Sequence, residues 1–306
     1  MLQLGVRIRK LFETFIIREL YMPVQQLTTS DGVSINIFEL KSGGGRDLLM
    51  LHGVGRAGRT FSAFAAMLPD QLRISVIDFR GHGQSGRSDN HYHVKDYVND
   101  AVAALEAIDR PTMIYGHSLG SLVTASVAAQ MPNVVSAIIL EDPPSKSYWD
   151  RIETTNYHPT FVAMRQWASR TDLSVGEIAS QLREVPIKPT AEGQAVKLGD
   201  VRDAVSLRFT ASCVRQLDPS VMKTILEDDW LAGYDIDSIL PAIRCPVLLL
   251  RGNTALGGML PSDDAERLVG KLHDCTRIDF AAAGHLLHWQ ARVDASQQTS
   301  VFIESL

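Results

Sequence analysis

Residues 113–121 read MIYGHSLGS, and no other stretch restricts the fold as strongly. The apolar run at its start is strand-like, and the run that follows, SLVTASVAAQM, is a helix-length series of small residues. The chain must therefore pass from strand to helix within Gly116-His117-Ser118-Leu119-Gly120. A turn that sharp crowds the backbone; glycines on both sides of the serine relieve the crowding and leave the hydroxyl exposed at the apex. Ser118 is thus the candidate nucleophile.

The surrounding pattern agrees with a sheet built around that turn. From Val24 to Leu140, short β-branched runs (INIFEL, LLMLHG, ISVIDF, TMIYGH and VVSAIIL) alternate with helical segments. Alternation of this kind predicts βα units and parallel strands buried on both faces. Asp31-Gly32 lies between two alternating runs and predicts an opening hairpin, so the sheet begins antiparallel. Between about Ser145 and Ile236 the pattern becomes helical, with no strand-like run, and three of the four tryptophans (Trp149, Trp167 and Trp230) fall there. This segment reads as a helical lid, residues 145–236, inserted into a core formed by 23–144 and 237–306. After it come PVLLLRG, a helix capped by Ser262, the strand TRIDF and a closing helix from about His288 to Ile303.

Composition narrows the function classes. A net charge of −5 without a basic stripe argues against nucleic-acid binding. Cys213, Cys245 and Cys275 are far apart and form no CxxC pair, so neither a disulfide framework nor a zinc site is expected, and a reducing cytoplasm fits. Residues 1–22 have apolar positions at helical spacing, but Arg7, Arg9, Lys10, Glu13, Arg18 and Glu19 interrupt them. An amphipathic helix packed on its own body, or on a second subunit of a homodimer, is expected there rather than stable membrane insertion.

The strand-turn-helix around Ser118, LLMLHGVGRAG after the third strand and IDFRGHGQSGRS after the fourth together resemble the α/β-hydrolase fold, from about Val24 to Leu306 outside the lid. The resemblance implies a mostly parallel sheet with helices on both faces. It also implies an oxyanion hole formed by the backbone N–H groups of Leu119 and Val54, and a general base at His285 in FAAAGHLLHW. Histidine suits that task because its pKa lies near neutrality. His52 and His82 are expected to orient loops and His288 to begin the closing helix. His91 and His93 have no third ligand in view, and no metal or cofactor is expected.

Such a base needs a carboxylate behind its second ring nitrogen. The usual place, shortly after the strand of LLLRGNTALGG, holds Ala255. Asp263 and Asp264 are nearby but are also explained as first-turn acids of a helix. SAIILEDPPS offers Glu141 and Asp142, with Asp142 24 residues after Ser118. Haloalkane dehalogenases, coelenterazine luciferases and zearalenone-type lactonases resemble this arrangement, and Asp142 is the expected acid, with Glu141 and the downstream pair as alternatives. Tyr148, Trp149, Phe161 and Trp167, with His117 beside the nucleophile, are candidate pocket residues. The expected activity is hydrolysis of a small hydrophobic ester or lactone. Cleavage of C–C bonds in ring-cleavage products is the enzymatic alternative, and a ligand receptor without catalysis is the third reading.

Overall fold

The structure, a computed structural model, describes residues 25–187, 193 and 195–306. The helix expected over 1–22 lies outside the described residues. Eight strands form the main sheet: β1 (Gln25–Thr28), β2 (Ser34–Ser42), β3 (Asp47–Leu51), β4 (Arg73–Asp78), β5 (Thr112–His117), β6 (Val135–Glu141), β9 (Val247–Gly252) and β10 (Cys275–Phe280), in the order β1-β2-β4-β3-β5-β6-β9-β10. β2 runs antiparallel to β1 and β4, and all other neighbours are parallel. The β1–β2 turn holds Gly32 at φ 84°, a conformation open to glycine.

Strand alternation divides the core between the two faces of the sheet. Leu49, Ile114, Ile138 and Leu249 face one layer, packed under helices Val94–Ile108 and Leu119–Gln130. Leu48, Met113, Ile139 and Leu248 face the other, against Phe61, Phe64 and helix Arg292–Glu304. Helix Leu119–Gln130 is buried along nearly its whole length, and its small residues make that possible. A Cβ at Gly120 would sit 2.1 Å from the Leu51 carbonyl oxygen, so only glycine lets this helix start so close to β3.

Three sequence expectations need correction. The segment between β6 and β9 contains, besides helices Tyr157–Trp167, Val175–Arg183, Ala204–Gln216 and Pro219–Glu227, an antiparallel ribbon of β7 (Pro186–Ile187) and β8 (Val196–Lys197). Pairs this short leave no periodic signature. Ser262 is the first residue of helix Ser262–Val269 and caps nothing; Pro261 occupies the cap position without a side-chain hydrogen bond. The closing helix is divided into Leu287–Gln290 and Arg292–Glu304 at Ala291. Among the described residues, no helix is long and apolar enough to cross a membrane.

Buried polar groups hold the loops at the carboxyl ends of the strands. Arg80, after β4, is fully buried, and its guanidinium donates to Asp31 at 2.6 and 2.9 Å and to the buried Asp100 at 2.8 Å. One side chain thus ties the opening hairpin to helix Val94–Ile108. His52 accepts from the Phe79 N–H at Nε2 (3.0 Å) and faces the Gly53 carbonyl with Nδ1 (2.8 Å). His82 accepts from the Gly55 N–H (3.1 Å) and faces the Arg80 carbonyl (2.9 Å). Each ring accepts at one nitrogen and donates at the other, which is the pattern of a neutral imidazole. Burial pushes their pKa values down, to about 4 for His52 and about 3 for His82.

Arg80→Met leaves Asp100 buried without its counter-charge, and a loss of about 3–5 kcal/mol is expected in denaturant unfolding; a loss below about 1 kcal/mol would contradict this role. The histidines set a pH dependence. Below pH 6.5 the unfolded chain takes up protons that the folded chain refuses down to about pH 4 at His52 and about pH 3 at His82. Stability therefore falls with acidification in that window, by about 1.4 kcal/mol per pH unit for each ring. Thermal melts at pH 7 and pH 5 check this, and an unchanged Tm is incompatible with two buried neutral imidazoles.

Candidate active site

β5 ends at His117, and Ser118 takes φ 55° and ψ −118°, a strained conformation for a residue with a side chain. Its N–H donates to the Glu141 carbonyl at 3.0 Å, which holds the turn against the end of β6. A Cβ on Gly116 would lie 2.3 Å from the Gly120 carbonyl, so the glycine before the serine is as necessary as the one after it. Leu119 opens the helix, where the first N–H groups have no intrahelical acceptor and point toward the serine end. On the facing loop, a Cβ at Gly53 would lie 2.7 Å from His117 Nδ1 and 3.0 Å from Ser118 Cβ. Glycine there brings the following Val54 to the wall of the cavity that Ser118 also borders.

His285, on the loop after β10, lines the same cavity. Its Nδ1 is 2.7 Å from Asp142 Oδ2. Asp142 has φ 44°, in the left-handed region that aspartate tolerates better than most residues. The carboxylate is completely buried; its Oδ1 accepts from the Gly252 N–H (2.9 Å) and its Oδ2 from the Met259 N–H (2.8 Å). Gly252 is the last residue of β9, so the strand beside the vacant acid position supplies one donor to a carboxylate just after β6. Ala255 sits in an exposed turn whose N–H is held by the Asn253 side chain at 2.9 Å. Asp264 accepts from Ser147 and from Arg267, and neither it nor Asp263 is hydrogen-bonded to His285.

Glu141 has other partners. It accepts from the Tyr115 hydroxyl (2.8 Å), from the His288 backbone N–H (3.0 Å) and from His288 Nδ1 at 2.8 Å to both oxygens. With Nδ1 donating, His288 Nε2 is left to accept from the Thr60 hydroxyl at 3.1 Å. Thr60 in turn accepts from Trp289 Nε1 (3.1 Å) and from the Arg56 guanidinium (3.3 Å). Burial holds His288 and His117 well below the usual histidine pKa, so both rings are neutral. His117, Glu141 and His288 are the one group of three potential metal donors among the described residues, within 4.8 Å of one another. Glu141 and His288 satisfy each other there, while His117 faces the His285 carbonyl with Nε2 at 3.0 Å and its buried Nδ1 has no hydrogen-bond partner.

The cavity beside Ser118 has a volume of about 50 Å³, and its outer border (Tyr157, Thr160, Leu198 and Arg202) is shared with a cleft of about 500 Å³. Of the expected pocket residues, His117 and Phe161 line the cavity. Tyr148, Trp149 and Trp167 do not. Trp149 packs against the buried Trp230 with ring centroids 4.5 Å apart and planes tilted by 52°, Tyr148 borders a separate outer depression, and Trp167 lies under Arg170 at 5.9 Å. Their apolar area goes into packing the inserted helices, a demand that aromatic content alone cannot separate from ligand binding. The cavity residues unread in the sequence include two arginines, Arg56 and Arg202. Arg56 in HGVGRAG carried a usable signal, since it stands two residues after Val54.

A family model described as the alpha/beta hydrolase fold matches residues 48–291. The pimeloyl-[acyl-carrier protein] methyl ester esterase of Vibrio campbellii is 26% identical over 256 residues, covering 83% of this chain and 92% of that protein. A malate-bound thermophilic esterase from Thermogutta terrifontis superposes with a TM-score of 0.66 at 18% identity, covering 92% of this chain and 98% of the other. The enol-lactonase from Burkholderia xenovorans LB400 gives 0.67 at 15%, covering 92% and 100%. Likeness at such identities is likeness of fold. Together with the strand order and the turn at Ser118, the family match over most of its length makes this chain a member of the alpha/beta hydrolase fold family.

Proposed function

We propose that the chain is a serine hydrolase that cleaves a carboxylic ester or lactone through an acyl-enzyme. The observation that carries this reading is the 2.7 Å contact between His285 and the buried Asp142, beside the cavity that Ser118 and His285 share. In this mechanism the Ser118 hydroxyl attacks the carbonyl carbon while His285 Nε2 takes its proton. The Leu119 and Val54 N–H groups receive the developing oxyanion. His285 then returns the proton to the leaving alcohol, and water activated by the same ring releases the acid. Asp142 keeps the Nδ1–H tautomer in place and stabilises the imidazolium as it forms.

The ester-cleaving relative supports the bond type. The largely apolar wall, with Val54, Phe161, Met164 and Leu207, supports a small substrate with apolar parts. Ala255 in the usual acid position favours a non-catalytic receptor only while His285 lacks a carboxylate, and Asp142 lies 2.7 Å from His285 Nδ1.

Ser118→Ala is expected to lower kcat toward p-nitrophenyl esters by a factor on the order of 10⁶, and Asp142→Asn by about 10⁴. Initial rates check both, together with covalent labelling of Ser118 by a fluorophosphonate. An Asp142→Asn variant within tenfold of wild type would falsify the assignment of the acid.

A further inference from the structure

Arg56 is 4% exposed and borders the cavity beside Ser118. Its guanidinium lies 4.8 Å from the Phe209 ring centroid and 5.3 Å from that of Trp289. Two of its nitrogens donate to the hydroxyls of Thr210 (2.8 Å) and Thr60 (3.3 Å), and the buried Nε has no hydrogen-bond partner. No carboxylate among the described residues is within ion-pair distance, and the link to Glu141 runs through the uncharged Thr60 and His288. Burial lowers its pKa, but only to about 10, so the group is cationic at neutral pH. Arg202, half-buried and also without an ion pair among the described residues, borders the same cavity and repels Arg56 electrostatically. Two like charges facing a space of about 50 Å³, one of them out of water, are costly to the protein alone and favourable around an anion.

We propose that Arg56 and Arg202 clamp a free carboxylate on the acyl part of the substrate, which makes that substrate a half-ester of a short dicarboxylic acid. A guanidinium's planar donor fork matches a carboxylate, and the stacking of Arg56 on two rings holds its plane in advance. The ester half of this assignment rests on the serine-hydrolase reading; the carboxylate half rests on the arginines alone.

Two measurements separate these halves. The first compares kcat/KM for mono-p-nitrophenyl glutarate and p-nitrophenyl pentanoate, which differ by a carboxylate against a methyl group. Wild type is expected to favour the glutarate ester at least tenfold, and that ratio to fall tenfold or more in Arg202→Gln and in Arg56→Met. The second is calorimetric titration of glutarate, and of inorganic phosphate, into Ser118→Ala with and without Arg202→Gln. Glutarate binding weakened at least tenfold by Arg202→Gln supports the clamp, even if neither ester is cleaved, a result that would overturn the serine chemistry instead. A wild-type ratio of one or less, a ratio unmoved by Arg202→Gln, or binding of phosphate but not glutarate overturns the clamp. Arg202 is partly exposed, so its variant keeps the test decisive if Arg56→Met does not fold.

Discussion

The buried Asp142 carboxylate is the constraint around which the site is arranged. A charge removed from water must be compensated by donors at hydrogen-bond distance, and here these come from Gly252, Met259 and His285. Those donors belong to the end of β9, the loop before helix Ser262–Val269, and the loop after β10. One side chain just after β6 therefore aligns three segments distant in sequence. The loop after β9 is then free of any acid, and Ala255 can occupy an exposed turn at no cost to His285.

The second buried acid, Glu141, is kept apart by its own partners. Strand alternation sends it toward Tyr115 and His288, while Asp142 meets His285. The polar chain from Glu141 through His288 and Thr60 reaches Arg56, so a negative and a positive group are joined beneath the cavity through neutral groups. From Glu141 through His288 to the Thr60 hydroxyl, each donor and acceptor has a direction imposed by its neighbour, as buried networks require. Neutral His52 and His82 act similarly above β3 and β4, where they fix the backbone on which Val54 and Arg56 stand.

The segment between β6 and β9 contributes a large part of the cavity wall. Phe161, Met164, Leu207 and Thr210 come from its helices, and Arg202 from the connection before helix Ala204–Gln216. Its tryptophans mostly pack among themselves. Aromatic density in that segment therefore marks the need of the inserted helices for a core of their own, and the polar character of the site enters through arginines instead.

By itself the sequence determined the βα alternation with its parallel strands, the antiparallel start and the turn at Ser118, but not the order of the strands across the sheet. These depend on local rules: period-2 apolar runs, the small-residue helix, and glycines where a Cβ would collide. His285 was legible only through the resemblance to the α/β-hydrolase fold, since His52 and His82 also stand in loops after strands and local pattern alone does not separate them from it. Only the tertiary structure decided that Asp142, rather than Glu141, Asp263 or Asp264, meets His285, because that contact joins residues 143 apart and depends on which way a strand end turns. It also decided that Arg56 faces the cavity without a counter-ion and that Trp149 and Trp167 do not face it. Burial and partnership are properties of the assembled chain, and no spacing along the sequence encodes them.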